Sequence, residues 1–465
     1  MGKISVKLPA ELLNSLEGVT GFDREAFENV HQSGEQITSI RINPAKWSMV
    51  DGELANIHPL PFTIDHEVPW SSAGFYLTQR PSFTFDPLFH AGCYYVQEAS
   101  SMFLEQALQQ TTNLSQPLKV LDLCAAPGGK STHIQSLLTS DSLLVCNEVI
   151  KSRAGILKQN IIKWGCTNVV VTNNDPQHFS RLIGFFDVIV VDAPCSGSGL
   201  FRRDEEAINE WSKENVYLCC GRQKRILADV LPALKGNGIL VYSTCSYSKD
   251  EDEDIADWLI YEWQMQSIPL EIKKEWHIIE SKAPGTGARG YRFFPDKVKG
   301  EGLYLSCFRK TTGTKDVKLK GTKLEKATTK EEAVVLPWLN TKDVQLFKAN
   351  LIYGIPSSLT ENYSIVKNAL NVQYAGVAIG EVMKEKLVPE HALALSNCVA
   401  DAIPKLPLTY EEAIRYLQKS DAGITPDVKG WQIMTYENHN LGWINALNNR
   451  VNNYYPKEFR ILKQM

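Results

Sequence analysis

The chain has 465 residues, of which 43% are hydrophobic and 22% charged, with a formal net charge of -4. That length exceeds one ordinary core, so two or three domains are expected, and the composition carries none of the biases of fibrous or disordered chains. A net charge this small does not by itself mark a polyanion binder, so any nucleic-acid reading must rest on local clusters.

Met1-Gly2-Lys3-Ile4-Ser5-Val6 lacks the apolar stretch of a signal peptide, and Val6 breaks the myristoylation pattern. No window has the apolar length of a membrane span. The ten cysteines are scattered without a CxxC pair, so no metal site and no disulfide framework is expected. A reduced, cytoplasmic setting without membrane contact fits, and there most cysteines are buried filler.

In chain order, Pro9 opens a helix with Leu12, Leu13 and Leu16 on one side, and Phe22, Ala26, Phe27 and Val30 suggest a second. Short strands and turns follow, including Ser39-Ile40-Arg41-Ile42-Asn43 and an aromatic-rich stretch from Pro81 to Tyr95. Residues 1–105 read as a small α/β accessory domain. From 106 to 310 the texture changes to short apolar runs at 119–123, 143–147, 168–172, 186–191 and 238–243, separated by helical segments. Near-continuous apolar strands alternating with helices predict an α/β fold with a parallel sheet covered on both faces. Antiparallel closing strands are expected near Tyr291 to Phe294 and Leu303 to Phe308. Residues 311–333 read as a lysine-rich tether, with Lys310, Lys315, Lys318, Lys320, Lys323, Lys326 and Lys330 in and around it. An intermediate domain is expected over 334–405 and a last one over 406–465. In the last, Thr409-Tyr410-Glu411-Glu412 is a capping box, and Trp431 to Tyr436 and Leu441 to Ile444 read as strands.

In an open parallel sheet, a nucleotide-type ligand binds at the carboxyl ends of the strands beside a glycine-rich first turn. The first run ends in Cys124-Ala125-Ala126-Pro127-Gly128-Gly129-Lys130, which is neither GxGxxG nor a P-loop. Glu148 closes the second run, placed to accept two ribose hydroxyls, and Asp175 follows the third, placed to meet an adenine amine. The alternative for both is a carboxylate that caps its own loop. A ribose reader and an adenine reader without a phosphate cradle suit S-adenosylmethionine better than NAD.

The fourth and fifth runs end in Asp192-Ala193-Pro194-Cys195-Ser196-Gly197-Ser198-Gly199 and Ser243-Thr244-Cys245-Ser246. In a doubly wound sheet of the methyltransferase order these strands are neighbours, so both thiols face one crevice. Such a pair suits methylation of cytosine carbon 5, where a thiolate must first add to carbon 6. Ser248 and Glu251 form a capping-box pattern after Cys245, and Asp250 to Asp254 load that turn with carboxylates. Thiol activation is therefore expected from Lys130 and the sulfonium, with Asp192 as acid or hydrogen-bond partner of the base. Cys146, Cys219 and Cys307 read as buried small hydrophobes.

The motifs around Asp122–Lys130, Asp192–Gly199 and Tyr242–Ser246, in that order, resemble the Sun/Fmu family of RNA cytosine-C5 methyltransferases. The resemblance extends through Phe85–His90, Tyr95–Ser101, Phe201–Asp204 and Gly300–Gly302. It implies a Rossmann-like S-adenosylmethionine-dependent sheet, Cys245 as nucleophile and Cys195 as the thiol that assists product release; spacing alone does not choose between them. It further implies Asp192 and Lys130 in catalysis, and Cys124, Ala125, Ala126, Pro127, Gly128, Gly129, Lys130, Glu148, Arg153, Asp175 and Asp192 around S-adenosyl-L-methionine. Two departures stand out: Lys249-Asp250-Glu251-Asp252-Glu253 replaces the usual Pro-Glu-Glu-Asn-Glu, and Glu148 stands where many relatives carry Asp.

Gly442-Trp443 and the stretch from Asn448 to Lys457 resemble the PUA-like module of the bacterial branch that methylates small-subunit ribosomal RNA. Arg450, Lys457, Arg460 and Lys463 give this end a basic surface. Trp443 and Tyr454 either stack on exposed bases or fill the core of a small barrel. The expected partner is RNA, as small-subunit rRNA or the assembled subunit, met by a monomer. Two alternatives remain within RNA biology, a tRNA cytosine-C5 methyltransferase and a catalytically silent RNA-binding assembly factor. A dinucleotide oxidoreductase lacks its GxGxxG.

Overall fold

The structure, a computed structural model, describes residues 7–47, 49–50, 53–54, 62–313 and 317–464. Met1–Val6 and Lys315, which carried expectations above, lie outside them.

The apolar runs form the middle of a ten-stranded sheet. Leu143–Asn147 and Val169–Thr172 are buried at every position, as strands covered on both faces must be. Their side chains alternate between two cores: Leu144 and Cys146 pack on one face, Leu143 and Val145 on the other. Lys119–Asp122 pairs in parallel with Leu143–Asn147 on one side and Phe186–Asp192 on the other, and Phe186–Asp192 pairs in parallel with Leu234–Thr244. The fold is thus a doubly wound methyltransferase sheet. The register sets Asp192 opposite Ser243, which brings the two cysteine-bearing turns side by side.

Arg289–Phe293 and Leu303–Lys310 close the sheet antiparallel, as expected. Three further strands were not anticipated. Met265–Ile268 pairs with Leu303–Lys310, and Ile279–Lys282 with Arg289–Phe293. Val372–Ala375, from the 334–405 segment, pairs antiparallel with Val169–Thr172 and covers an edge that would otherwise present unpaired backbone.

The Ser248/Glu251 capping box does not form. A short 3-10 turn, Lys249–Glu251, follows Ser248, and the helix Glu253–Trp263 starts four residues later than the pattern implies, with Asp252 at its N-cap and no side-chain cap; the Ser248 hydroxyl has no hydrogen-bond partner. Glu251, Asp252 and Glu253 of this turn are buried instead. Asp252 accepts from Thr244 Oγ1 at 2.7 Å, and Arg292 donates from Nε to Glu253 at 2.7 Å and lies 3.0 Å from Asp252.

The N-terminal region carries the helices Ala10–Leu16 and Arg24–Gln32 and a four-stranded antiparallel sheet. Leu12, Leu13, Leu16 and Phe27 pack against Phe201, Trp211, Tyr247 and Phe294, directly behind the cysteine turns. From the strand Ser39–Ile42, buried Arg41 reaches Thr132 Oγ1 at 2.6 Å and Gln97 Oε1 at 2.8 Å, fixing the helix that follows the glycine turn.

The lysine-rich stretch is not a free tether. Thr322 N–H donates to Ser364 O, Ala327 N–H to Leu346 O and Lys348 N–H to Glu325 O, and a capped helix, Thr329–Val335, begins within it. The Thr409/Glu412 capping box forms, and strands Gly430–Tyr436 and His439–Ala446 follow. Trp443 is fully buried, whereas Tyr454 is 41% exposed. This C-terminal region shares a core with the N-terminal sheet: Ile40, Phe75, Leu88 and Tyr94 pack with Ile414, Met434, Leu441 and Tyr455. Trp47 Nε1 donates to His439 Nε2 at 2.7 Å, and Tyr410 Oη to Phe85 O at 3.0 Å.

Candidate active site

The glycine turn leaves the first strand as Cys124–Lys130. Ala125 N–H donates to Asn147 O at 2.8 Å, Arg153 Nη2 to Ala126 O at 2.9 Å and Asn160 Nδ2 to Pro127 O at 2.8 Å, so neighbouring elements hold the turn open. The peptide before Pro127 is cis. Gly128 has φ 115°, a conformation that favours glycine, and caps the helix Gly129–Leu137. Beneath it, Asp122 is fully buried; Ser131 Oγ donates to one oxygen at 2.6 Å and the other oxygen has no partner. Burial pushes this carboxyl up to about 7, and burial likewise raises the Cys124 thiol.

Glu148 is buried at the end of the second strand. Its Oε1 accepts from Ile150 N–H at 2.9 Å, and its Oε2 lies 3.6 Å from Arg153. Asp175 caps Pro176–Arg181 through Gln177 N–H at 3.1 Å and stands 3.6 Å from Arg225. Both therefore do serve their own loops, while sitting at the ends of successive strands. The turn, the half-satisfied Asp122 and these two carboxylates fit S-adenosylmethionine, whose amine, ribose hydroxyls and adenine amine need acceptors.

Across the crevice, Lys130 Nζ lies 2.8 Å from Asp192 Oδ2, and Ser243 Oγ donates to Asp192 Oδ1 at 2.8 Å. Burial works to lower the Lys130 ammonium, but Asp192, Asp122 and Cys245 outweigh it and hold it above its ordinary value. The sulfurs of Cys195 and Cys245 are 3.1 Å apart. The hydrogen bond to Cys245 and then burial push the Cys195 thiol well above the usual range. Cys146, Cys219 and Cys307 are buried filler, as expected.

The flanking segments meet beside these turns. Glu98 accepts from Ser100, Ser101 and Glu301 N–H groups, each at 2.9 Å, and Arg202 lies 3.7 Å from Glu301. Burial lifts the Glu301 carboxyl to about 7. Gly199 N–H donates to Cys245 O at 2.8 Å; a Cβ on Gly199 would sit 2.7 Å from Gly302 O, so only glycine allows this approach.

Three family models match the chain: 16S rRNA methyltransferase RsmB/F over residues 109–309, the N-terminal domain of 16S rRNA methyltransferase RsmF over 8–99, and the methyltransferase RsmF PUA domain over 403–461. The ribosomal RNA small subunit methyltransferase F of Aeromonas salmonicida is 30% identical over 443 residues, 90% of each chain. That of Vibrio campbellii is 30% identical over 445 residues, again 90% of each. The chain belongs to the RsmF family. A methyltransferase homologue from Pyrococcus horikoshii superposes with a TM-score of 0.50 at 26% identity, over 65% of this chain and 100% of that one. NSun6 from the same organism, solved with SFG, an analogue of S-adenosylmethionine, gives 0.53 at 18% identity, over 66% and 100%, a likeness of fold alone.

As an RsmF-family member the protein is an S-adenosylmethionine-dependent RNA cytosine-C5 methyltransferase. Among the described residues no helix is long and apolar enough to cross a membrane. Sequence reasoning read Glu251 as a helix cap rather than a link between the cysteine turns, and it gave no role to Gln223 beside Pro194 or to the knot of Glu98, Glu301 and Arg202. The available signals were the density of serines around Cys195 and Cys245 and the family-like segments Tyr95–Ser101, Phe201–Asp204 and Gly300–Gly302.

Proposed function

We propose that this protein transfers a methyl group to carbon 5 of a cytosine in 16S rRNA, through a covalent adduct between Cys245 and carbon 6, with Cys195 assisting release. The observation that carries the reading is the pair of sulfurs 3.1 Å apart beside the Lys130–Asp192 ion pair, at the carboxyl edge of the sheet. Cys195, whose thiol is pushed up, keeps its proton, and Cys245, beside the Lys130 ammonium, is the sulfur assigned to attack.

S-adenosylmethionine supplies the electrophilic methyl. The glycine turn 124–130, Glu148, Arg153 and Asp175 hold it, and Asp192 orients the cytosine. Addition of Cys245 Sγ to carbon 6 forms a C–S bond and makes carbon 5 nucleophilic. After carbon 5 is methylated, a base from solvent takes its proton, that C–H electron pair restores the C5=C6 double bond, and the C–S bond breaks with its pair returning to Cys245 while Cys195 assists. Residues 1–105 and 406–465 present the RNA-binding surface, with exposed Tyr454 available for stacking. The small ribosomal subunit is the partner, met in the cytoplasm by a monomer.

Cys245→Ala should abolish transfer of labelled methyl to small-subunit rRNA, on the order of 10^4-fold or more, while cofactor binding persists. Cys195→Ala should accumulate a protein–RNA adduct seen on a denaturing gel. Retained turnover in Cys245→Ala would remove the assignment, and bisulfite sequencing of rRNA and tRNA from a strain lacking the protein identifies the target.

A further inference from the structure

Each thiol is followed by a serine, Ser196 after Cys195 and Ser246 after Cys245, and one buried carboxylate joins the two. Glu251 Oε1 accepts from Ser196 N–H at 2.9 Å and from Gln223 Nε2 at 3.2 Å; Oε2 accepts from Ser196 Oγ at 2.5 Å and Ser246 Oγ at 2.6 Å. Gln223 Nε2 also lies 3.2 Å from Pro194 O, so it touches the residue before Cys195. Four donors converge on two oxygens, and an acceptor-only carboxylate satisfies all four.

We propose that Glu251 is a positioning residue that clamps the Cys195 turn to the Cys245 turn and thereby sets the geometry of thiol-assisted release. The proposal rests on the reading of Cys245 as nucleophile and Cys195 as release thiol. Other links, Ala193 N–H to Ser243 O, Gly199 N–H to Cys245 O and Tyr247 N–H to Ser198 Oγ, keep the turns adjacent when Glu251 is altered. What its loss loosens is the Cys195–Ser196 peptide, which then keeps only the 3.1 Å sulfur pair and a 3.4 Å contact between the Ser196 and Ser246 hydroxyls as its links to the Cys245 turn. Glutamine fills the same space but brings one acceptor oxygen and no charge, so the Ser196 and Ser246 hydroxyls must turn round to accept from its NH2 and the charge-assisted bonds between the two turns are lost.

The test uses the full chain and small-subunit rRNA, with Glu251→Gln, Ser196→Ala, Ser246→Ala and Cys195→Ala compared by cofactor affinity, single-turnover methyl transfer and adduct yield. Glu251→Gln and Ser196→Ala should keep cofactor affinity within about twofold, lose roughly 10- to 100-fold in turnover and accumulate adduct as Cys195→Ala does. Ser246→Ala should slow adduct formation instead, a split that general loosening would not produce. If Cys195→Ala accumulates adduct while Glu251→Gln and Ser196→Ala release product at the wild-type rate, the clamp is wrong. If Cys195→Ala yields no adduct, the release reading fails instead, and the clamp stands only if Glu251→Gln lowers the single-turnover rate. Should Glu251→Gln not fold, Ser196→Ala, which removes one hydroxyl, decides.

Discussion

The two halves of the crevice are built on opposite terms. On the cofactor side Glu148 and Asp175 are each tied to their own loop by one hydrogen bond, and Asp175, Asp192 and Arg153 keep 30%, 36% and 50% of their side chains exposed. On the thiol side Glu251, Asp252 and Arg292 are sealed from solvent and cross-linked to both cysteine turns. A reagent that enters and leaves each cycle needs groups that can change partners. A nucleophile and its helper need a fixed separation, which a buried, cross-linked network supplies.

That contrast predicts opposite signs for removing one charge on either side. Arg292→Met strips the guanidinium from buried Asp252 and Glu253 and should cost about 3–5 kcal/mol of stability, read by denaturant unfolding. A loss under 1 kcal/mol would show that the thiol side is not held by its ions. Asp122→Asn should instead stabilise the cofactor-free protein. Burial raises this carboxyl from about 3.8 to about 7, so its contribution is fully present below about pH 4 and is lost as pH rises through 7. The Asn variant should gain roughly 2–4 kcal/mol over wild type at pH 8 and little near pH 4. Melting curves that shift in parallel at both pH values would break the contrast. Glu148→Ala should weaken S-adenosylmethionine binding roughly 10- to 100-fold, about 1.4–2.8 kcal/mol, while leaving the melting temperature and adduct yield alone. A titration showing unchanged affinity would mean that Glu148 only ties its own loop.

What could be read from residues alone follows the range of the forces involved. Apolar runs mark buried parallel strands, and strand ends mark the crevice, so the positions of Gly128, Glu148, Asp192, Cys195 and Cys245 at strand ends are legible in the sequence. Glu251 was misread because Ser-x-x-Glu is a local pattern. Its true partners include Ser196, 55 positions upstream, and two hydroxyls plus an amide outweigh one backbone cap. Val372–Ala375 escaped notice because its pairing with Val169–Thr172 depends on a contact some two hundred positions away and leaves no periodicity of its own. The lysine-rich stretch looked like a tether because its anchors are backbone groups, which composition does not reveal.

The core shared by the first and last regions bears on biogenesis. Ile40 and Phe75 emerge early from the translating ribosome, yet the Met434, Leu441 and Tyr455 that complete their packing come almost last. For most of translation the early sheet must carry a bare apolar face, a window in which holdase chaperones have something to grip. A protein cut before residue 403 would keep both sulfurs and the glycine turn but carry that face permanently, so its first defect would be aggregation rather than lost chemistry.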